Sequence, residues 1–63
     1  MVWNALKEGV LPEKSQPTLF RDKKGGYFLG EVGTDGLIKK TESGYRYSIR
    51  DGFVTHWAYV KGP

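Results

Sequence analysis

Sixty-three residues make one small domain at most, because a chain this short buries only about 60% of the surface that its unfolded form exposes. With no Cys and a single His, disulfides and Cys-based zinc sites are excluded, so the fold must stand on its apolar core or on a partner. Ten Lys and Arg against seven Asp and Glu leave a net charge of +3, which admits an acidic partner without requiring one.

Aromatic residues at 14% and nine Gly describe a compact, turn-rich chain rather than a disordered one. No stretch approaches the roughly 20 apolar residues of a membrane span, and the first eleven residues lack the basic start and apolar run of a secretory signal. The expectation is a soluble intracellular protein of one domain, residues 1–63.

In chain order, residues 3–8 read either as one helical turn or as a short strand, and Trp3 either shares a helix face with Leu6 or lids one end of a sheet. Pro12 and Pro17 bracket a polar loop and bias Leu11 and Gln16 toward extended backbone. From there, turn signals recur every 8 to 10 residues, at 22–26, 33–36, 42–44 and 51–52, each carrying the Gly or Asx that a turn requires. Between them lie strand-sized segments at 18–22, 27–32, 37–40, 45–50 and 53–60. Loops this short pair sequential neighbours antiparallel. The predicted fold is mostly β, a meander of four to five antiparallel strands or a half-closed barrel, with an irregular or one-turn helical N-terminus.

Asp51-Gly52 between two alternating runs is a strong signal for a two-residue hairpin turn. That register sets Arg46 opposite Trp57 and Arg50 opposite Phe53, and sorts the side chains into two faces. One carries Tyr45, Tyr47, Ile49, Val54, His56, Ala58 and Val60, and is the expected core. The other carries Arg46, Ser48, Arg50, Phe53, Thr55, Trp57 and Tyr59, a basic-aromatic surface.

Catalysis is not expected. There is no Cys nucleophile, and His56 lacks an orienting acid, an oxyanion hole and a nucleophile-elbow sequence to work with Ser43 or Ser48. His56 with Glu31, Asp35, Glu42 and Asp51 shows no metal-ligand spacing, and Gly25, Gly26, Gly30 and Gly33 read as turns because no strand, loop and helix order accompanies them. No catalytic residue, metal or cofactor is therefore assigned. His56 reads as a satisfied side chain on a sheet face; a proton switch near neutral pH is the sharper alternative.

The basic-aromatic face supports three readings. In the plainest, Arg stems cover Trp and Phe rings and merely solvate the sheet. In the second, Arg46, Arg50, Phe53, Trp57 and Tyr59 bind a protein, since aromatic and Arg residues are the commonest interface anchors. In the third, Lys39, Lys40, Arg46, Arg50 and Trp57 bind nucleic acid, rings stacking bases and cations neutralising phosphate. Unpaired sheet edges also admit a homodimer beside a monomer.

The order Trp3, Leu11-Pro12-Glu13, a short strand over residues 18–21, a turn over 22–26, Tyr27-Phe28-Leu29-Gly30-Glu31, Val54-Thr55-His56-Trp57 and Pro63 resembles a family of short proteins and modules encoded by bacteriophages and prophages and classed as a domain of unknown function. The match covers nearly the whole chain and rests chiefly on Thr-His-Trp and Leu-Pro-Glu. It departs at residues 3–11, slightly longer than the pattern, and at the ending, where Ala58 to Pro63 replace a Met-Pro-Leu-Pro type sequence. The resemblance implies a phage or prophage origin, a compact β-rich domain and the cytoplasm of a bacterial host. It carries no activity; by analogy alone it implies a non-enzymatic module that binds a host or phage protein.

Overall fold

The computed structural model describes residues 2–7 and 9–60; Pro63, one of the residues carrying the family resemblance, lies outside the described residues. Six strands, β1 (Asn4–Ala5), β2 (Thr18–Asp22), β3 (Tyr27–Val32), β4 (Ile38–Lys40), β5 (Arg46–Tyr47) and β6 (Val54–Tyr59), form one sheet in the order β1-β6-β2-β3-β4-β5. Every pairing is antiparallel. Of the helical turn and the short strand considered for residues 3–8, the described residues 3–7 show the strand and no helix, because Asn4 and Ala5 extend beside Trp57 and His56 at the sheet edge.

The turn chemistry follows the sequence closely. Asp22 accepts from the Lys24 and Gly26 amides at 2.8 and 3.0 Å, and Gly25 takes the positive φ of 86° that closes the β2–β3 hairpin. This hairpin sets Leu19 against Leu29 and Phe20 against Phe28.

The Asp51-Gly52 hairpin does not form. Ser48 caps a single 3-10 turn, Ile49–Asp51, its hydroxyl accepting from the Arg50 amide at 3.3 Å. Gly52 does adopt positive φ, 79°, but as the left-handed end of that turn, and Asp51 accepts from the Phe53 amide at 2.9 Å. The chain thereby crosses from one side of the sheet to the other: β5 pairs with β4, and β6 pairs with β2 and β1. Arg46 consequently lies opposite Lys39, not Trp57.

A second irregularity decides which side chains face inward. β6 pairs Arg21 with His56 but Asp22 with Val54, so Thr55 is one residue too many for the ladder, a β-bulge. Thr55 is held there by its hydroxyl, which donates to the Arg21 carbonyl at 3.2 Å, while its own carbonyl accepts from the Leu6 amide at 2.8 Å. Beyond a bulge the parity of a strand reverses. Val54 and Trp57, three apart, therefore both enter the core.

That core is Phe20, Phe28, Val32, Ile38, Val54 and Trp57, with Leu6, Tyr47, Ile49, Phe53 and Tyr59 packed around it. A run of rings crosses it: Phe20 to Phe28 at 5.3 Å, Phe28 to Tyr47 at 5.2 Å and Tyr47 to Phe53 at 5.3 Å between centroids. Tyr47 stands on β5 and Phe53 beside β6, four strand spacings or about 19 Å apart in a flat sheet. Their contact requires the sheet to curl strongly, without closing into a barrel. Residues 9–17 cover the open side. The Trp57 indole donates to the Val10 carbonyl at 3.1 Å, the Glu13 amide to the Tyr59 hydroxyl at 3.0 Å and the Ser15 amide to the Val32 carbonyl at 2.9 Å.

Candidate functional site

The curl turns the sheet's outer face away from residues 9–17, and the strand registers arrange it in three rows. The central row runs Ala58, Leu19, Leu29 across β6, β2 and β3; Ala58 is buried, Leu19 half-buried and Leu29 exposed. One flank runs Ala5, His56, Arg21, Tyr27, and the other Glu31, Lys39, Arg46. Alternation along β2 and β3 sends Phe20, Phe28 and Val32 inward, so Leu19, Arg21, Tyr27, Leu29 and Glu31 must point outward.

Two large apolar residues of this face meet water: Tyr27 is 59% exposed and Leu29 52%. Trp3 reaches Tyr27, their ring centroids 5.7 Å apart, and the Arg21 guanidinium lies 5.9 Å from the Tyr27 centroid, within the range of a cation-π contact. The result is a small aromatic-aliphatic patch with one attached cation, rimmed by Glu31 and Lys39. A groove at its edge, about 250 Å³, is lined by Tyr27, Phe28, Leu29, Lys40, Thr41 and Glu42.

The expected basic-aromatic surface is not one surface. Trp57 is only 6% exposed and belongs to the core. Phe53 stacks on Tyr47 with a 15° interplanar angle, and Tyr59 packs edge-on to Trp57 while its hydroxyl holds Glu13. Arg50 sits in the 3-10 turn, away from the ladder. Arg46 does face outward, with its Nε 3.5 Å from an Asp35 carboxylate oxygen, beside exposed Lys39. Lys40 falls on the opposite side, its ammonium 5.8 Å from the Phe28 ring. Of the residues expected to act together, Lys39 and Arg46 are neighbours on the outer face, while Trp57 and Tyr59 meet against the core. The physical reason is the pair of irregularities above: the 3-10 turn separates β5 from β6, and the Thr55 bulge turns Trp57 inward.

Leu19, Arg21, Tyr27 and Leu29 were not singled out by sequence reading. The available signal was the Asp22 turn, which pairs Leu19 with Leu29 and Arg21 with Tyr27. What it lacked was a sign for which face is inward, since Leu19, Tyr27 and Leu29 are as apolar as Phe20 and Phe28.

His56 stands on the outer face with its Nδ1 2.8 Å from the Thr55 hydroxyl, which ties the imidazole to the bulge. Among the described residues no group of three or more His, Asp or Glu side chains could hold a metal ion, and no helix is long and apolar enough to cross a membrane. In comparison with known proteins, no family model, no curated protein and no solved structure matches this chain.

Proposed function

We propose that this chain is a non-enzymatic interaction module of phage or prophage type, acting in the bacterial cytoplasm, that binds a host or phage protein through the outer face of its sheet. The origin and location rest on the sequence resemblance. The contact surface rests on one observation: Tyr27 and Leu29 stay more than half exposed on a strand whose alternate side chains are sealed in the core. Burying a large apolar side chain is worth about 1.5–3 kcal/mol, and Tyr with an adjacent Arg is the composition of an interface anchor.

A nucleic-acid reading through Lys39, Lys40, Arg46, Arg50 and Trp57 has less support. Its one ring, Trp57, is enclosed and offers no face for a base, Arg46 is partnered by Asp35, and Glu31 stands beside Lys39.

The test is capture from a bacterial host lysate with wild type, Tyr27→Asp/Leu29→Asp and Arg50→Glu. A specific protein held by wild type and Arg50→Glu, but reduced at least tenfold with the double variant, is the expected result. An identical set of captured proteins for all three would overturn the assignment of this face.

A further inference from the structure

We infer that residues 2–5 are a replaceable strap, and that the partner protein puts an extended segment of its own, carrying an aromatic side chain, in their place along β6 and over Tyr27. This inference rests on the reading of the outer face as the contact surface, and names the segment that occupies it.

β1 is the edge strand beside β6 and has two residues, whereas β6 has six. Across this edge the Thr55 carbonyl accepts from the Leu6 amide at 2.8 Å, so by the alternation of an antiparallel ladder the N–H and C=O groups of Trp57 and Tyr59 also point toward β1. Asn4 meets Trp57, and its side-chain amide donates to the Trp57 carbonyl at 3.3 Å. β1 ends before Tyr59; Val2, the residue in line with Tyr59, is 79% exposed and outside the ladder. A six-residue edge held by so short a strand has room for a longer one, and main-chain pairing along such an edge is a common mode of peptide recognition.

Trp3 shows which side chain the site takes. Trp3 shares the outer side of β1 with Ala5, and its ring touches Tyr27, which stands three strands away, about 14 Å in a flat sheet. It therefore lies back over the flank that carries His56 and Arg21, half-buried but outside the core. The Arg21 guanidinium sits against the same Tyr27 ring. An aromatic side chain delivered by a strand on β6 thus finds a ring and a cation already placed for it. Leu6 packs against the core and serves as the pivot, so displacement breaks the Asn4–Trp57 pair and the Trp3–Tyr27 contact. An incoming strand remakes both and adds a pair with Tyr59.

The probe is a blocked peptide with the sequence of residues 1–6, titrated into the isotope-labelled full chain and followed by backbone amide NMR. Trp3→Ala, which loosens the strap, should bind it with shifts at Tyr27, Trp57 and Tyr59. Wild type should bind at least tenfold more weakly, because its own strap competes, and a peptide with Ala in place of Trp should lose binding to the same degree. Ala5 and His56 face each other in a non-hydrogen-bonded pair, close enough for a cross-strand disulfide, and the chain has no Cys of its own. Oxidised Ala5→Cys/His56→Cys therefore locks the strap. The locked chain should lose the peptide and, in the lysate experiment, the captured protein, and reduction should restore both. Equal affinity for wild type and Trp3→Ala, binding that survives the lock, or no binding to any form overturns the inference. Capture that depends on Tyr27 and Leu29 yet survives the lock leaves the outer face as the contact surface and overturns only the replacement of the strap. A wild-type chain that dimerises in sedimentation but stays monomeric when locked places the strap of a second copy on β6, and overturns the foreign segment.

Discussion

Trp57→Ala should abolish the fold rather than a binding surface. Truncating a core Trp costs about 3–5 kcal/mol in lost transfer energy and residual cavity. Here it also removes the indole N–H that holds the Val10 carbonyl, and with it one anchor of the covering segment 9–17, and deprives Tyr59 of the ring it packs against. At 0.05–0.15 kcal/mol per residue, a 63-residue domain has roughly 3–9 kcal/mol of stability in total. Thermal melting by circular dichroism should therefore show no cooperative transition, or one lowered by well over 10 °C. A midpoint within a few degrees of wild type would mean that Trp57 stands outside the core.

Gly30→Ala should be nearly as damaging, for a different reason. Gly30 has ordinary negative φ, so backbone freedom is not what it supplies; it supplies the absence of a side chain. On β3 it faces the core between Phe28 and Val32, and a Cβ there would run into the Lys39 carbonyl oxygen on β4 and come within 3.4 Å of the Phe20 ring. The carbonyl belongs to the neighbouring strand and cannot swing away as a side-chain tip can, so relief requires prising β4 from β3 or displacing Phe20, the most deeply buried ring. Overpacking of this kind costs about 1–3 kcal/mol, and disturbance of the ladder adds to it. A fall in the midpoint of about 10 °C or more in the same melting experiment is expected; an unchanged midpoint would mean that the β3–β4 register is wrong.

Much of the architecture is legible in the sequence because it is written in turn residues. Asp22 with Gly25, Asp35 with Gly36, and Gly44 each occupy the position that local hydrogen bonding and positive φ require, so the strands beginning at Thr18, Tyr27 and Ile38 fall where the turns leave them. The failure at Asp51-Gly52 is instructive because its local chemistry is right: Gly52 is left-handed, as a hairpin would need. A left-handed Gly serves equally to end a 3-10 turn, and only the pairing of Tyr47 with Ile38 on β4 decides between the two. That contact is tertiary, and no dipeptide carries it.

The candidate site was lost to the same non-local information. Strict alternation over residues 53–60 puts Val54 and Trp57 on opposite faces; the bulge at Thr55 puts both inside. A bulge stabilised by the Arg21 carbonyl and the Leu6 amide leaves no mark in the local pattern. Nor can alternation choose an inner face when both faces of β2 and β3 are apolar. Phe20 and Phe28 are inside and Leu19 and Leu29 outside because the curl of the sheet brings Tyr47 and Phe53 to the Phe28 side. The apolar residues left over on the convex side then form the surface proposed for binding.

Contact through Leu19, Arg21, Tyr27, Leu29 and Glu31 is tested most directly by backbone amide NMR of the chain titrated with the protein captured from the host lysate. Shifts and line broadening concentrated at those five residues, with Phe20, Phe28 and the 3-10 turn nearly still, are the expected result. Shifts centred instead on Arg50, Phe53 and Tyr59 would contradict it.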